Sequence, residues 1–176
     1  MRAHVLGNGE SWVHFKKIAE SDFVIGCNKP NTDVDATVIV DLRFFYKLLD
    51  RIEPLVISCP IITNEKCKKQ FQAKNRNTDK IILKEVYSPP IKFKAISSAH
   101  IATLWLIEND YDEIHIWGCD SLKTNSMEST TDIIVDAYYK NEDNQTVLEV
   151  INNWKENWDM IVKEYPNSSI IFHNEE

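Results

Sequence analysis

A doubly wound α/β domain is the fold class that this chain predicts, and three observations point to it. Short runs of Val, Ile and Leu recur without polar alternation, as expected of strands covered on both faces of a parallel sheet. Between them lie stretches whose apolar residues fall three and four apart, the spacing of a helix that buries one side. The chain has only 4 glycines, Gly7, Gly9, Gly26 and Gly118, and all stand at or near the ends of apolar runs, where a strand must turn sharply. Strand and helix in alternation give a Rossmann-like, mostly parallel sheet of about seven strands with helices on both faces.

The strand candidates in order are Ala3–Leu6, Phe23–Cys27, Thr37–Val40, Leu55–Ser58, Lys80–Leu83, Glu113–Trp117 and Ser169–Phe172. The clearest helix runs from Gln145 to Tyr165, where Val147, Leu148, Ile151, Trp154, Trp158, Ile161, Val162 and Tyr165 form one stripe before Pro166 ends it. Ser98–Asn109 is apolar almost all round, which suits a helix beside the centre of the sheet, with Ser97 or Ser98 as its cap. Helices at about Ser11–Glu20, Phe44–Arg51 and Asn64–Ala73 complete the alternation, and the polar stretch Lys123–Asp132 reads as a surface loop.

The length of 176 residues is close to that of one domain, roughly 150 residues, so a single domain over 1–176 is expected. Twenty Lys+Arg against 27 Asp+Glu give a net charge of −7, which argues against a surface that grips nucleic-acid backbones but leaves room for a pocket holding one nucleotide. No run reaches the roughly 18 apolar residues of a membrane span, and Gly7 interrupts the N-terminal apolar run too early for a signal-peptide core, so a cytoplasmic location is expected. Cys27, Cys59, Cys67 and Cys119 form no C-x-x-C pair and sit at no metal-ligand spacing from a histidine, so reduced thiols are expected.

Ligands of open α/β sheets bind beyond the carboxyl ends of the strands. Those ends carry Gly7-Asn8-Gly9-Glu10-Ser11, Asn28-Lys29-Pro30-Asn31, Asp41-Leu42-Arg43 and Gly118-Cys119-Asp120-Ser121. In the dinucleotide fingerprint G-x-G-x-x-G the third glycine is replaced by Trp12, and Asn28 stands where an acidic residue would take a ribose hydroxyl. An NAD-type site is therefore not expected, and there is no P-loop motif either. What remains is a glycine turn leading into a helix start, a general anion seat, flanked by Asn8 and Asn28, whose amides both donate and accept. The alternative is that both asparagines serve turns. Asp41 and Asp120 could accept from sugar hydroxyls, hold a divalent metal or act as a base, or could simply cap and close turns. His100, near a helix start, is a candidate acid or base, with a structural role as the alternative. His4 and His115 lie within strands and read as packing histidines, and Trp12, Trp105 and Trp117 as core.

These segments together resemble the bacterial sialyltransferases of glycosyltransferase family 42 and the related motility-accessory-factor and 6-hydroxymethylpterin pyrophosphokinase-like proteins. The resemblance rests on Val5–Ser11, Phe23–Asn28, Val38–Asp41 and Ser97–Ala102, and continues through Asn109–Ile114 to Trp117–Asp120. It implies a nucleotide site lined by Asn8, Gly9, Asn28, Asp41, Ser97, Ser98, Gly118 and Cys119, with Asp120 or His100 carrying catalysis. Glu10 stands where the family usually has proline, Ser97-Ser98 lacks its glycine, and no histidine between Ser121 and Phe172 matches the family's general base. The expected function is a nucleotide-sugar-dependent transferase, sialyltransferase-like, acting on a CMP-sugar type of donor. The alternatives are a noncatalytic nucleotide sensor or sequestering module, and a magnesium-dependent diphosphokinase-like enzyme. No cofactor is firmly implied, Mg2+ entering only in that last alternative, and the expected partner is a small nucleotide or nucleotide-sugar.

Overall fold

A computed structural model of the chain describes residues 1–42, 44, 59–74, 83–90, 92–120 and 144–173. The apolar runs form seven strands: β1 (Arg2–Leu6), β2 (Phe23–Cys27), β3 (Ala36–Ile39), β4 (Ile61–Thr63), β5 (Leu83–Val86), β6 (Glu113–Trp117) and β7 (Ser169–His173). They make one sheet in the order β5-β4-β3-β2-β1-β6-β7, and every neighbouring pair is parallel. The fold is the expected Rossmann-like α/β architecture. Among the described residues the helices are α1 (Glu65–Lys74), α2 (Ser98–Glu108) and α3 (Asn144–Glu164), with a 3-10 turn at Glu10–His14.

The chain builds outward from β1 to β5 and then crosses back to add β6 and β7 on the other side of β1. That reversal between β1 and β6 is the topological switch point, where an open α/β sheet leaves a crevice at the strands' carboxyl ends. The returning helix α2 packs on β1, β2 and β3 and on α3. Every residue from Ser98 to Leu106 is buried, which is why the helix is apolar all round. Against it the first face of the sheet presents Ala3, Val5, Ile25, Cys27, Val38, Ile114 and Ile116. Leu104 and Leu106 are fully buried there, each such side chain contributing about 1.5–3 kcal/mol over exposure. Helix α3 closes this layer with Ile151, Trp158 and Ile161, whereas Leu148 and Val162 of the expected stripe face solvent.

The second face carries polar side chains between apolar ones. His4 is buried between Asp22, whose Oδ2 accepts from its Nε2 at 3.0 Å, and Trp117, whose indole N–H donates to its Nδ1 at 3.2 Å. His115 Nε2 donates to Glu113 at 2.9 Å, and its Nδ1 lies 2.7 Å from His173 Nε2. The His173 ring stacks on Trp117 with centroids 3.7 Å apart. Arg2 closes the circuit, on Glu113 at 2.7 Å and near Asp22 at 3.8 Å. His4 and His115 are thus packing histidines, as expected, and each keeps a hydrogen-bond partner in an otherwise apolar layer.

Several boundaries differ from the sequence expectation. The helix expected over Ser11–Glu20 is only the 3-10 turn Glu10–His14, because the Asp22 carboxylate accepts from the Ile18 and Ala19 N–H groups and closes a turn there, and Phe15 packs beneath Leu6 and Trp117. The fourth strand, Ile61–Thr63, was not expected, and the fifth lies later than Lys80–Leu83, at Leu83–Val86. The strand expected at Leu55–Ser58, most of the helix expected at Phe44–Arg51 and the Lys123–Asp132 loop lie outside the described residues. Among the described residues no helix is long and apolar enough to cross a membrane.

Candidate functional site

The ends of β1 and β6 meet backbone to backbone. Gly7 N–H donates to the Trp117 carbonyl at 2.7 Å and Gly9 N–H to the Gly118 carbonyl at 2.8 Å. A Cβ on Gly7 would lie 2.3 Å from the Gly118 oxygen, so the two turns interlock only as glycines. Gly118 has φ of 67°, the left-handed region that side chains disfavour. Beyond it, Asp120 reaches back across the turn. Its Oδ2 accepts from Ser11 N–H at 2.7 Å, and its Oδ1 accepts a short hydrogen bond from the Ser11 hydroxyl. A Cβ on Gly9 would stand 2.6 Å from Oδ2, so that glycine makes room for the carboxylate.

These bonds correct one expectation. The N–H groups of Gly7, Gly9 and Ser11 are all donated within the protein, and a carboxylate already occupies the amide end of the 3-10 turn. The Gly9 amide is therefore not an anion seat, because its hydrogen is committed to Gly118.

Asn8 is buried and ties β1 to β2. Its Nδ2 donates to the Cys27 carbonyl at 2.6 Å, and its Oδ1 accepts from Asn31 Nδ2 at 3.5 Å. Asn28 follows with φ of 57°, a conformation asparagine tolerates better than most residues. Its N–H donates to Val38 O at 2.8 Å and its carbonyl accepts the Thr37 hydroxyl at 2.7 Å. The Asn28 side-chain oxygen accepts from the Ser98 hydroxyl at 3.4 Å, joining β2 to the start of α2. Among the described residues no partner meets the Asn28 amide nitrogen, so two N–H donors remain for a ligand.

Ser97 and His100 are tied to each other, and His100 is sealed from this rim. Ser97 is the N-cap of α2, and its hydroxyl accepts from His100 N–H at 3.4 Å while its own N–H donates to His100 Nδ1 at 3.0 Å. This is a capping box in which histidine takes the place usual for Glu or Gln. The other ring nitrogen, Nε2, donates to the Trp154 carbonyl of α3 at 3.1 Å. The ring is 0% exposed and packs against Trp158 at 4.4 Å, and burial pushes its pKa down to about 3. His100 therefore stitches α2 to α3 as a neutral ring, with no surface for a reacting group.

Asp41 lies half-buried just past β3, at the same edge of the sheet but near the start of α1, where its charge helps raise the Cys67 thiol to about 11. With β2 and β1 between β3 and β6, the strand ends that carry Asp41 and Asp120 are about 14 Å apart at roughly 4.8 Å per strand. They share a rim and not a ligand atom. Cys119 is half-buried, and burial with the neighbouring Asp120 charge pushes its thiol up to about 12, while the Cys27 thiol is raised by burial. Both are held as unreactive thiols. The structure thus gathers Asn8, Gly9, Gly118 and Asp120 where the ends of β1 and β6 meet and Asn28 with Ser98 beside them, while Ser97 caps α2 and His100 faces inward. Sequence reasoning does not single out Ser11 or Asn31; a serine two residues past a Gly-Asn-Gly turn is the only signal for the first.

No protein-family model matches the chain, and comparison with curated proteins finds no match. A solved structure with a similar fold is that of the sialyltransferase CST-II in complex with a trisaccharide acceptor and CMP. The TM-score is 0.51 at 14% identity, over 98% of this chain and 80% of that one. At that identity the likeness is one of fold, a Rossmann-like α/β architecture.

Proposed function

We propose that the crevice between the carboxyl ends of β1 and β6 binds a nucleotide or a nucleotide-activated sugar of the CMP-sugar type. The observation that carries this reading is the gathering of Asn8, Asn28, Ser98, Gly118 and Asp120 at the topological switch point, the place where open α/β sheets take ligands. A glycosyltransferase-like neighbour that was crystallised with CMP supports the choice of ligand class. In this reading the Asn28 amide nitrogen addresses ribose hydroxyls or the phosphate, and the Ser98 hydroxyl, which donates to Asn28 Oδ1, orients that amide. Asn8, Gly9, Gly118 and Cys119 form the floor, and Asp41 lies toward the outer end. As a transferase, the protein would hold the donor while an acceptor hydroxyl attacks the anomeric carbon, the bond to the nucleotide phosphate breaks, and the hydroxyl proton passes to a base.

The second reading, a noncatalytic module that senses or sequesters a nucleotide, is favoured by what holds the two expected proton acceptors: His100 is sealed between helices and Asp120 is engaged by Ser11. Among the described residues no three His, Cys, Asp or Glu side chains converge as a metal-holding group. A thermal-shift screen of cytidine, uridine, guanosine and adenosine mono- and diphosphates, with and without magnesium, tests binding. A ligand at 100 times its Kd should stabilise by about 2.7 kcal/mol. Release of CMP from a CMP-sugar in the presence of varied acceptors then separates transferase from module, and no shift with any nucleotide would overturn both.

A further inference from the structure

We propose that Asp120 is a positioning residue that acts through Ser11, an inference that rests on the nucleotide reading above. Both carboxylate oxygens accept from Ser11, Oδ2 from its N–H at 2.7 Å and Oδ1 from its hydroxyl. The carboxylate sits where an anion would sit at the start of a helical turn, so it supplies internally the negative charge that such an end attracts. Ser11 is the second residue of the Glu10–His14 turn, and Asp120 is 109 positions away along the chain, so this contact clamps the Gly7-Asn8-Gly9 turn onto the end of β6. Gly9 leaves only enough room for the carboxylate, a Cβ there lying 2.6 Å from Oδ2. The consequence for the ligand is directional. With a carboxylate in the turn and the Gly7, Gly9 and Ser11 amides committed, the phosphate of a bound nucleotide is placed toward the Asn28 amide nitrogen, and the uncharged part of the ligand lies over the glycine turn.

The test is a mutant cycle in the full chain, with CMP as the probe. Asp120→Ala, which removes both bonds, should weaken CMP binding about five- to tenfold, Ser11→Ala, which keeps the N–H bond, should weaken it less, and the double variant should bind no worse than Asp120→Ala alone, because all act on one latch. Ser11→Thr, which keeps the hydroxyl and the N–H, should restore affinity, an effect that loss of bulk stability would not produce. Losses that multiply in the double variant would overturn the proposal. Hydrogen exchange at the Ser11 amide, measured without ligand, should quicken at least tenfold in Asp120→Ala, and unchanged exchange would also overturn it. If the wild-type chain binds no CMP while exchange quickens as expected, the nucleotide reading fails and the latch stands.

Discussion

Gly118→Ala is the substitution that most directly challenges the interlocked turns. The residue sits at φ of 67°, and a Cβ there would meet the Gly7 carbonyl oxygen at 2.8 Å, its carbon at 3.0 Å and Trp12 Cβ at 3.1 Å. A left-handed L-residue costs about 1–2 kcal/mol. Forcing a methyl group against backbone that cannot rotate away adds about 1–3 kcal/mol. The sum, about 2–5 kcal/mol, corresponds to a drop in Tm of about 5–15 °C for a chain of this size. Urea unfolding of the wild type, Gly118→Ala and Gly118→Asn measures it. Asparagine tolerates the left-handed region and should recover part of the strain but none of the overlap, so it should fall between the other two. Gly7→Ala should be at least as costly without any positive φ, because its Cβ would lie 2.3 Å from the Gly118 oxygen. A Gly118→Ala protein within about 0.5 kcal/mol of wild type, the usual range for harmless surface changes, would refute the reasoning.

Asn28→Asp, which keeps the tolerance of a left-handed φ and the oxygen that accepts from Ser98 but removes the amide N–H donors, should weaken nucleotide binding at least tenfold with little loss of stability, whereas Asn8→Ala should lose about 1–3 kcal/mol of stability as well, by stripping the buried Cys27 carbonyl of its donor; calorimetric titration and urea unfolding of the two separate the effects. Stability should fall with acid between about pH 6.5 and pH 3. Burial holds the folded-state pKa of His100 near 3 and lowers that of His4, so the unfolded chain binds more protons across that window, and each group adds a slope of up to about 1.4 kcal/mol per pH unit. His100→Gln should flatten the profile measured by urea unfolding at a series of pH values, and an unchanged slope would contradict the assignment. Cys27, Cys59 and Cys67 are buried, and all four thiols are raised, so a thiol-reactive dye should label them slowly in native protein and promptly in urea. Leu104→Ala, which removes a fully buried side chain of α2, should cost about 2–5 kcal/mol by the same unfolding assay.

The elements that can be read from the sequence are those in which one physical requirement dominates. β1, β2 and β6 are short apolar runs that end in or beside glycine, and the apolar girdle of α2 follows from its burial between sheet and α3. β4 is harder to see because it has only three residues, Ile61-Ile62-Thr63, directly after Pro60. β5 contains Lys84 and Glu85, charges that an edge strand accommodates and that break the expected apolar run. At the site, the placement of Asn8, Asn28, Gly118 and Asp120 at strand ends is legible because topology dictates it. Which of their polar atoms are already spent is not, since the partners, Ser11 for Asp120, Cys27 for Asn8 and Trp154 for His100, are distant in sequence and carry no local pattern. His100 illustrates the ambiguity: a histidine three residues past Ser97 can be a proton acceptor or the far half of a capping box, and only the burial of its ring decides between them.

The pairing of β1 with β6 also dictates when the crevice comes into being. Arg2 and Glu113 face each other across a separation of 111 residues, whereas β1, β2 and β3 are neighbours both along the chain and in the sheet. Closing so long a loop costs on the order of 4 kcal/mol of chain entropy, and the rewarding contacts arrive only once it is closed. A refolding molecule can therefore assemble the β1–β3 side early and still lack a crevice until β6 docks. Capture of the proposed ligand during refolding would then report the docking of β6 against β1.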